Sequence, residues 1–351
     1  MVRRPRTRSN FATHFLNVEN NFIMNVQIIG GSGFIGSKTA AYLVSQQISF
    51  RIADISPSPD FNDKCVYTDV RSASGLRENI CGDTVINLAA VHRDDVTDPE
   101  EYYSTNVEGA RMLCDICEEK GINKIVFTSS VAVYGFAASG TGEDGSIDPF
   151  NEYGRTKSLA EDVYREWREK DPENRSLIIV RPAVVFGEGN RGNVYNLLNQ
   201  INSGAFAMIG NGKNKKSMAY VENLAAFLLK CIESDEKYAV YNYVDTPDFT
   251  MNELVSLVRG KLRGSPSVGI RIPKFIGLIA GYTADVIAKL GVKLPISSIR
   301  VKKFCASSEF SSAKHELDGF EAPYTLQEGL DRTLEAEFIN PDPDRQIFYT
   351  E

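Results

Sequence analysis

From Met24 onward, short apolar runs alternate with longer stretches in which apolar residues recur every three or four positions. NVQIIG (25–30), ISFRIAD (48–54), DTVINLAA (83–90), KIVFTSS (124–130) and SLIIVRP (176–182) are brief and rich in β-branched side chains, as buried strands are. Helical periodicity fills the intervals: from the glycine loop after Ile29 to about Gln46, from Pro99 to about Lys120, and over 153–170. Strands that read as near-continuous apolar runs are covered on both faces. Alternation with helices then predicts an α/β fold, a Rossmann-type doubly wound parallel sheet with right-handed crossovers.

Beyond Arg181 strands become sparse, and loops rich in Gly, Asn and Lys (FGEGNRGN, GNGKNKK) separate helices. The pattern predicts a dinucleotide-binding domain over 24–182 and a smaller, mainly substrate-binding domain over 183–340. Residues 1–23 read as a disordered extension and 341–351 as a tail. The most apolar stretch, Pro273–Leu290, is interrupted by Asp285 and flanked by Lys274, Lys289 and Lys293. It is too short for a bilayer span, which needs about 20 apolar residues. Two readings stay open for it, a core helix and a helix lying on a membrane surface.

A net charge of −7 argues against nucleic acid as a partner, since nucleic-acid binders present a basic face. The six cysteines are scattered, and the arginine-rich start lacks the apolar core of a secretory signal, so reduced thiols in the cytoplasm are expected. Cys114 and Cys117 stand three apart in a helical run, as two small apolar residues on one face. With three histidines and no second cysteine pair, no metal site is expected.

Candidate chemistry begins at G30-G-S-G33-F-I-G36, which follows a strand and opens a helix. Glycines there permit a tight turn and close approach of the backbone to a pyrophosphate, whose charge faces the helix N-terminus. Phe34 and Ile35 lie inside the motif and belong to the same expected cofactor contact. Asp54 ends the second strand, where a carboxylate accepts from ribose hydroxyls and repels a 2′-phosphate, favouring NAD over NADP. Asp69 and Val70 after the third strand, and Leu88, Ala89 and Ala90 after the fourth, are placed to continue the cofactor wall.

Tyr153 and Lys157 stand four apart, on one helix face, and Ser130 ends the strand just upstream. A phenol with an ordinary pKa of about 10 is a poor base at neutral pH. A neighbouring ammonium and a positive nicotinamide ring favour the phenolate, which can take the proton of a sugar hydroxyl while Ser130 orients the same oxygen.

With these motifs the chain resembles an extended short-chain dehydrogenase/reductase of the nucleotide-sugar epimerase/dehydratase type, from Asn25 to the 330s. The resemblance implies Ser130, Tyr153 and Lys157 as catalytic, and Asn106 in TNVEG as an asparagine that steadies the cofactor site. Dehydratases of the family carry an Asp-Glu pair directly after the Ser/Thr; here Val131 and Ala132 occupy those positions, which leaves 4-epimerisation or 4-keto reduction.

Longer segments (AVHRDDV, RPAVVFGEGNRGNVYNLL, KSMAYVEN and APYTLQEGLDRTL) resemble the subgroup of N-acetylglucosaminyl-diphospho-undecaprenol 4-epimerases. That resemblance implies interconversion of GlcNAc and GalNAc on a lipid diphosphate for surface polysaccharide, with bound NAD. A soluble UDP-N-acetylhexosamine 4-epimerase and a keto reductase are the alternatives. Arg191, Asn193 and Lys216 are the residues expected at the substrate diphosphate, and His92 and Arg93 those at the sugar. The resemblance further implies a homodimer through the helices of 99–120 and 153–170. A lipid-linked substrate would also give 273–290 a peripheral membrane contact, on the cytoplasmic face of the inner membrane.

Overall fold

The computed structural model describes residues 24–93, 96–288 and 297–350. Strands β1 (Asn25–Ile29), β2 (Ser49–Asp54), β4 (Thr84–Asn87), β5 (Lys124–Thr128) and β6 (Ser176–Pro182) fall where the short apolar runs predict them, and the short β3 (Cys65–Tyr67) is the third strand expected before Asp69. All pair in parallel, in the order β6-β5-β4-β1-β2-β3. Along each strand alternate residues enter opposite cores. Ile28, Ile86, Val126 and Ile178 pack on one face of the sheet; Ile29, Val85, Ile125 and Ile179 pack on the other. A sheet buried on both faces is why the strands read as continuous apolar runs.

The chain winds outward in both directions from the β1–β4 neighbours. The carboxyl ends of these two strands therefore border the crevice where open α/β sheets bind ligands. Helix α1 (Phe34–Ser45) covers one face; α2 (Ala73–Asn79) and the long run from Pro99 cover the other. That run is not one regular helix. It is α3 (Pro99–Tyr102), a π-helical turn (Tyr103–Glu108) and α4 (Gly109–Lys120), beside α5 (Glu152–Glu169). Cys114 and Cys117 of α4 are buried, and burial pushes the Cys117 thiol up to about 12.

The division expected at residue 182 is crossed by the chain. After β7 (Val184–Phe186), α6 (Asn193–Ser203), β8 (Met208–Ile209) and β9 (Lys215–Tyr220), helix α7 (Val221–Glu233) packs against α1. Strand β10 (Tyr238–Tyr243) then adds to β6 as the seventh parallel strand. The C-terminal half thus completes the sheet before it builds its own core from α6, α8 (Met251–Arg263) and α11 (Leu326–Leu334). Strands are more numerous here than the pattern suggested: β11 (Asp245–Thr250) joins β9 and β7, and β12 (Arg271–Ile272) joins β8.

Helix α9 (Lys274–Ala288) departs from the core reading of its sequence. Gly277, Gly281 and Ala284 face inward, and a Cβ on Gly281 would stand 2.8 Å from Ser298 of α10 (Ser298–Cys305). The large side chains face out: Phe275, Ile279 and Val286 are each more than 60% exposed (64%, 62% and 61%). Small residues let the two helices approach closely, so the bulky ones have only the outer face to occupy. Residues 1–23, Asp94, Asp95 and 289–296 lie outside the described residues.

Candidate active site

At the sheet's carboxyl edge lies a cleft of about 690 Å³. Its first wall is the turn between β1 and α1. Gly30 adopts φ +76°, and any Cβ there would stand 2.6 Å from the Ala89 nitrogen. A Cβ on Gly36 would meet the Gly30 oxygen at 2.5 Å, whereas one on Gly33 would meet only that oxygen, at 3.4 Å. Packing within the protein accounts for Gly30 and Gly36. The open space over Gly33 fits a phosphate at the α1 N-terminus.

Asp54 accepts from the backbone amides of Ser32 and Ser56, at 2.9 Å each, so its carboxylate is pinned beside that turn. Phe34, Ile35, Asp69, Val70, Leu88, Ala89 and Ala90 also line the cleft. Asp69 accepts from Arg71, which holds its carboxyl below the ordinary carboxylate range. The residues present thus fit a dinucleotide.

Asn106 is placed differently from the others. It lies in the π-helical turn, behind the cleft wall, and its amide is a three-way brace. It accepts from the Val91 amide at 2.8 Å and donates to the Val91 carbonyl and the Thr156 hydroxyl at 3.0 Å each. The extra residue of a π turn lets the side chain aim at the loop after β4 while α3 and α4 stay aligned.

Ser130, Tyr153 and Lys157 converge on the cleft from β5 and α5. Asn151 caps α5 by accepting from the Gly154 amide at 2.9 Å, which sets Tyr153 in the first turn. A hydrogen bond with Ser130 eases the Tyr153 phenol downward, but burial dominates and raises it above its ordinary value. Lys157 donates to the Thr128 carbonyl at 2.7 Å and lies 4.7 Å from the centre of the Phe127 ring. Burial pulls its ammonium down to about 7, partly opposed by the charge of Glu161.

Glu161, one turn beyond Lys157, anchors a buried network that sequence reasoning did not single out. It accepts from Ser129 at 2.6 Å and from both arms of Arg181 at 2.8 and 2.6 Å; Arg181 also donates to the Tyr134 hydroxyl at 2.6 Å. Burial alone would raise the Glu161 carboxyl, yet Arg181 holds it below its usual value. The available signal was an acid four residues after Lys157, on a helix face committed to the core.

The expected substrate residues separate. His92 lines the cleft, and desolvation, aided by the Lys157 and Arg93 charges, lowers its imidazole below the ordinary value. Arg93 follows it, and its carbonyl accepts from Tyr102. Asn193 lines the far end of the cleft, as the first residue of α6. Arg191 is instead engaged with Glu337 at 2.6 Å and lies 4.0 Å from the centre of the Tyr195 ring.

Lys216 does not line the cleft. It donates to the carbonyls of Lys303 and Ala306 at 2.9 and 2.7 Å and to the Ser308 hydroxyl at 3.2 Å, and burial lowers it to about 8. Carbonyls freed at the end of α10 attract a cation in the way helix C-termini do, and they engage the Lys216 ammonium. Thr350, from the expected tail, lines the cleft unforeseen.

Comparisons with known proteins bear on this geometry. The model of the NAD dependent epimerase/dehydratase family matches residues 26–243. The N-acetyl-alpha-D-glucosaminyl-diphospho-ditrans,octacis-undecaprenol 4-epimerase of Escherichia coli O157:H7 is 45% identical over 333 residues, which are 93% of this chain and 99% of that protein. Among solved structures, MoeE5 in complex with UDP-glucuronic acid and NAD aligns with a TM-score of 0.70 at 23% identity, over 90% of this chain and 100% of that one. The UDP-N-acetylglucosamine 4-epimerase from Bacillus cereus aligns at 0.69 and 17%, over 88% of this chain and 98% of that one. A glycine turn shaped for a dinucleotide, a Ser-Tyr-Lys set beside it and a family match running from β1 to the seventh strand agree: this chain belongs to the NAD dependent epimerase/dehydratase family.

Proposed function

We propose that this protein is a 4-epimerase that interconverts GlcNAc and GalNAc on a diphospho-undecaprenol carrier. The observation that carries the substrate is the 45% identity to the Escherichia coli enzyme of that name, spread over nearly the whole of both chains. The reaction type rests on the cleft itself.

Tyr153 as phenolate takes the proton of the sugar O4, with Ser130 holding the same oxygen and the Lys157 ammonium lowering the cost of the phenolate charge. NAD, held at the Gly33 turn and beside Asp54, would supply a reversible hydride acceptor for C4. The 4-keto sugar formed between the two transfers turns over in the cleft, and Tyr153 gives the proton back once the opposite face is presented. Val131, beside Ser130 on the cleft wall, has no group to protonate a leaving hydroxyl. Dehydration therefore lacks its acid.

The same reading gives α9 a role. Its exposed apolar face would rest on the bilayer that holds the substrate, without a span; no described helix is long and apolar enough to cross a membrane. The cytoplasmic leaflet is the side on which such a carrier would be met. Pairing of two copies through α4 and α5, which pack side by side on one face of the sheet, belongs to the same proposal, and light scattering in solution tests it.

The deciding experiment is incubation with GlcNAc-diphospho-undecaprenol, followed by release and analysis of the sugar. GalNAc should appear with no net change in the oxidation state of the cofactor. Tyr153→Phe should lower the rate by about 10²–10⁴-fold while leaving NAD binding intact. Good turnover of UDP-GlcNAc with none of the lipid-linked sugar would overturn the substrate. Stoichiometric consumption of reduced cofactor with a keto sugar would replace epimerase by reductase.

A further inference from the structure

Residues 341–350 read in sequence as a tail, but their last part is built into the cleft. Phe348 pairs with Asn190 in an isolated parallel bridge: its amide donates to the Gly189 carbonyl at 2.9 Å, and its carbonyl accepts from the Arg191 amide at 2.8 Å. Its ring packs on that of Phe34, the first residue of α1, with centroids 5.7 Å apart. Two residues on, the Thr350 hydroxyl meets the Asn190 side chain at 3.3 Å and lines the cleft beside Gly192 and Asn193.

The loop that receives this segment is held from below as well. Glu337 accepts from the Gly189 amide at 2.6 Å and pairs with Arg191 at 2.6 Å. The loop at 189–192 is thus gripped between Glu337 and Phe348. In consequence the segment runs from the Phe34 ring at the start of α1 to the start of α6, with Thr350 on the cleft wall.

We propose that residues 345–350 are a further wall of the dinucleotide site, a clasp that retains NAD through successive turnovers. Phe348 is the keystone, because it touches the start of α1 through Phe34 and the loop before α6 through the 189–191 backbone. The use of such a clasp rests on the epimerase reading: a cofactor returned to its starting state each cycle need never leave, whereas a reductase must release it every turnover. The binding claim stands apart from that reading. Coupling of binding free energies is reciprocal: if the closed segment tightens NAD binding, by slowing its release, bound NAD must hold the segment closed.

The test uses the full chain, its Phe348→Ala variant and a variant ending before Arg345. NAD release is timed after mixing with excess competing nucleotide, without any sugar, and amide hydrogen exchange of the full chain is followed with and without saturating NAD. The shortened variant should release NAD at least about tenfold faster than the full chain, with Phe348→Ala between them. The Phe348 and Arg191 amides should exchange more slowly when NAD is bound. Equal release rates in all three proteins overturn the clasp. Exchange at Phe348 and Arg191 that ignores NAD overturns it too, even if the variants fail to fold. An enzyme inactive on both the lipid-linked sugar and UDP-GlcNAc that still shows both effects would sink the epimerase reading and leave the clasp standing.

Discussion

The Tyr153 phenol and the Lys157 ammonium are both shifted by burial, and their protons set the pH response of this site. Burial raises Tyr153 and pulls Lys157 down to about 7, so the pair gives up its first proton near that value. The product is shared between a phenol with a neutral amine and a phenolate with an ammonium, and only the second can accept a sugar proton. A positive nicotinamide nearby favours that form. kcat/KM should therefore rise with pH through about 7 and level off above it; a rate unchanged between about 6 and 8 would contradict the pair. Residue types and spacing made Ser130, Tyr153 and Lys157 legible without coordinates. They did not reveal that Lys216 spends its charge on three oxygens around the end of α10, because a lysine's partner in a distant loop leaves no local trace.

At the scale of elements, the site depends on how closely α1 and α5 are held to the sheet. Gly36→Ala would place a methyl group 2.5 Å from the Gly30 oxygen and the Gly31 Cα, both backbone. The turn must then open, at a cost of about 1–3 kcal/mol, with NAD affinity falling alongside the unfolding temperature. The bond between α5 and β6 is electrostatic: Arg181 on Glu161, both almost fully buried. Arg181→Met leaves the carboxylate with Ser129 and the half-exposed Arg165. Denaturant unfolding should show a loss of about 3 kcal/mol, the low end for a broken buried pair because Arg165 stays. The strands, α1 and α5 were readable from periodicity. The π-helical turn was not, since an extra residue in a helix changes the aim of Asn106 without altering the composition around it.

For the whole molecule, charge and apolar exposure are distributed unevenly. The chain carries a net −7, yet 271–303 holds seven Lys and Arg against Asp285 alone. The described part of this basic stretch includes the exposed apolar face of α9. Cationic flanks and a bulky apolar face suit an anionic bilayer surface. The protein should float with vesicles containing anionic lipid and be released by salt. Ile279→Asp with Val286→Asp should abolish flotation while leaving NAD binding unchanged; flotation that survives both substitutions would refute this contact. The periods of apolar residues, the glycine turn and the Ser-Tyr-Lys spacing are local properties, so the doubly wound sheet and its reacting groups could be read along the chain. The rest arises where distant segments meet. The seventh strand comes from 238–243, α9 is turned outward by its glycines against α10, and residues 345–350 close on Phe34. Each is settled by tertiary packing, in which a segment's place depends on a partner that its own sequence does not name: Ser298 for Gly281, β6 for the seventh strand, and Phe34 at the far end of the chain for Phe348.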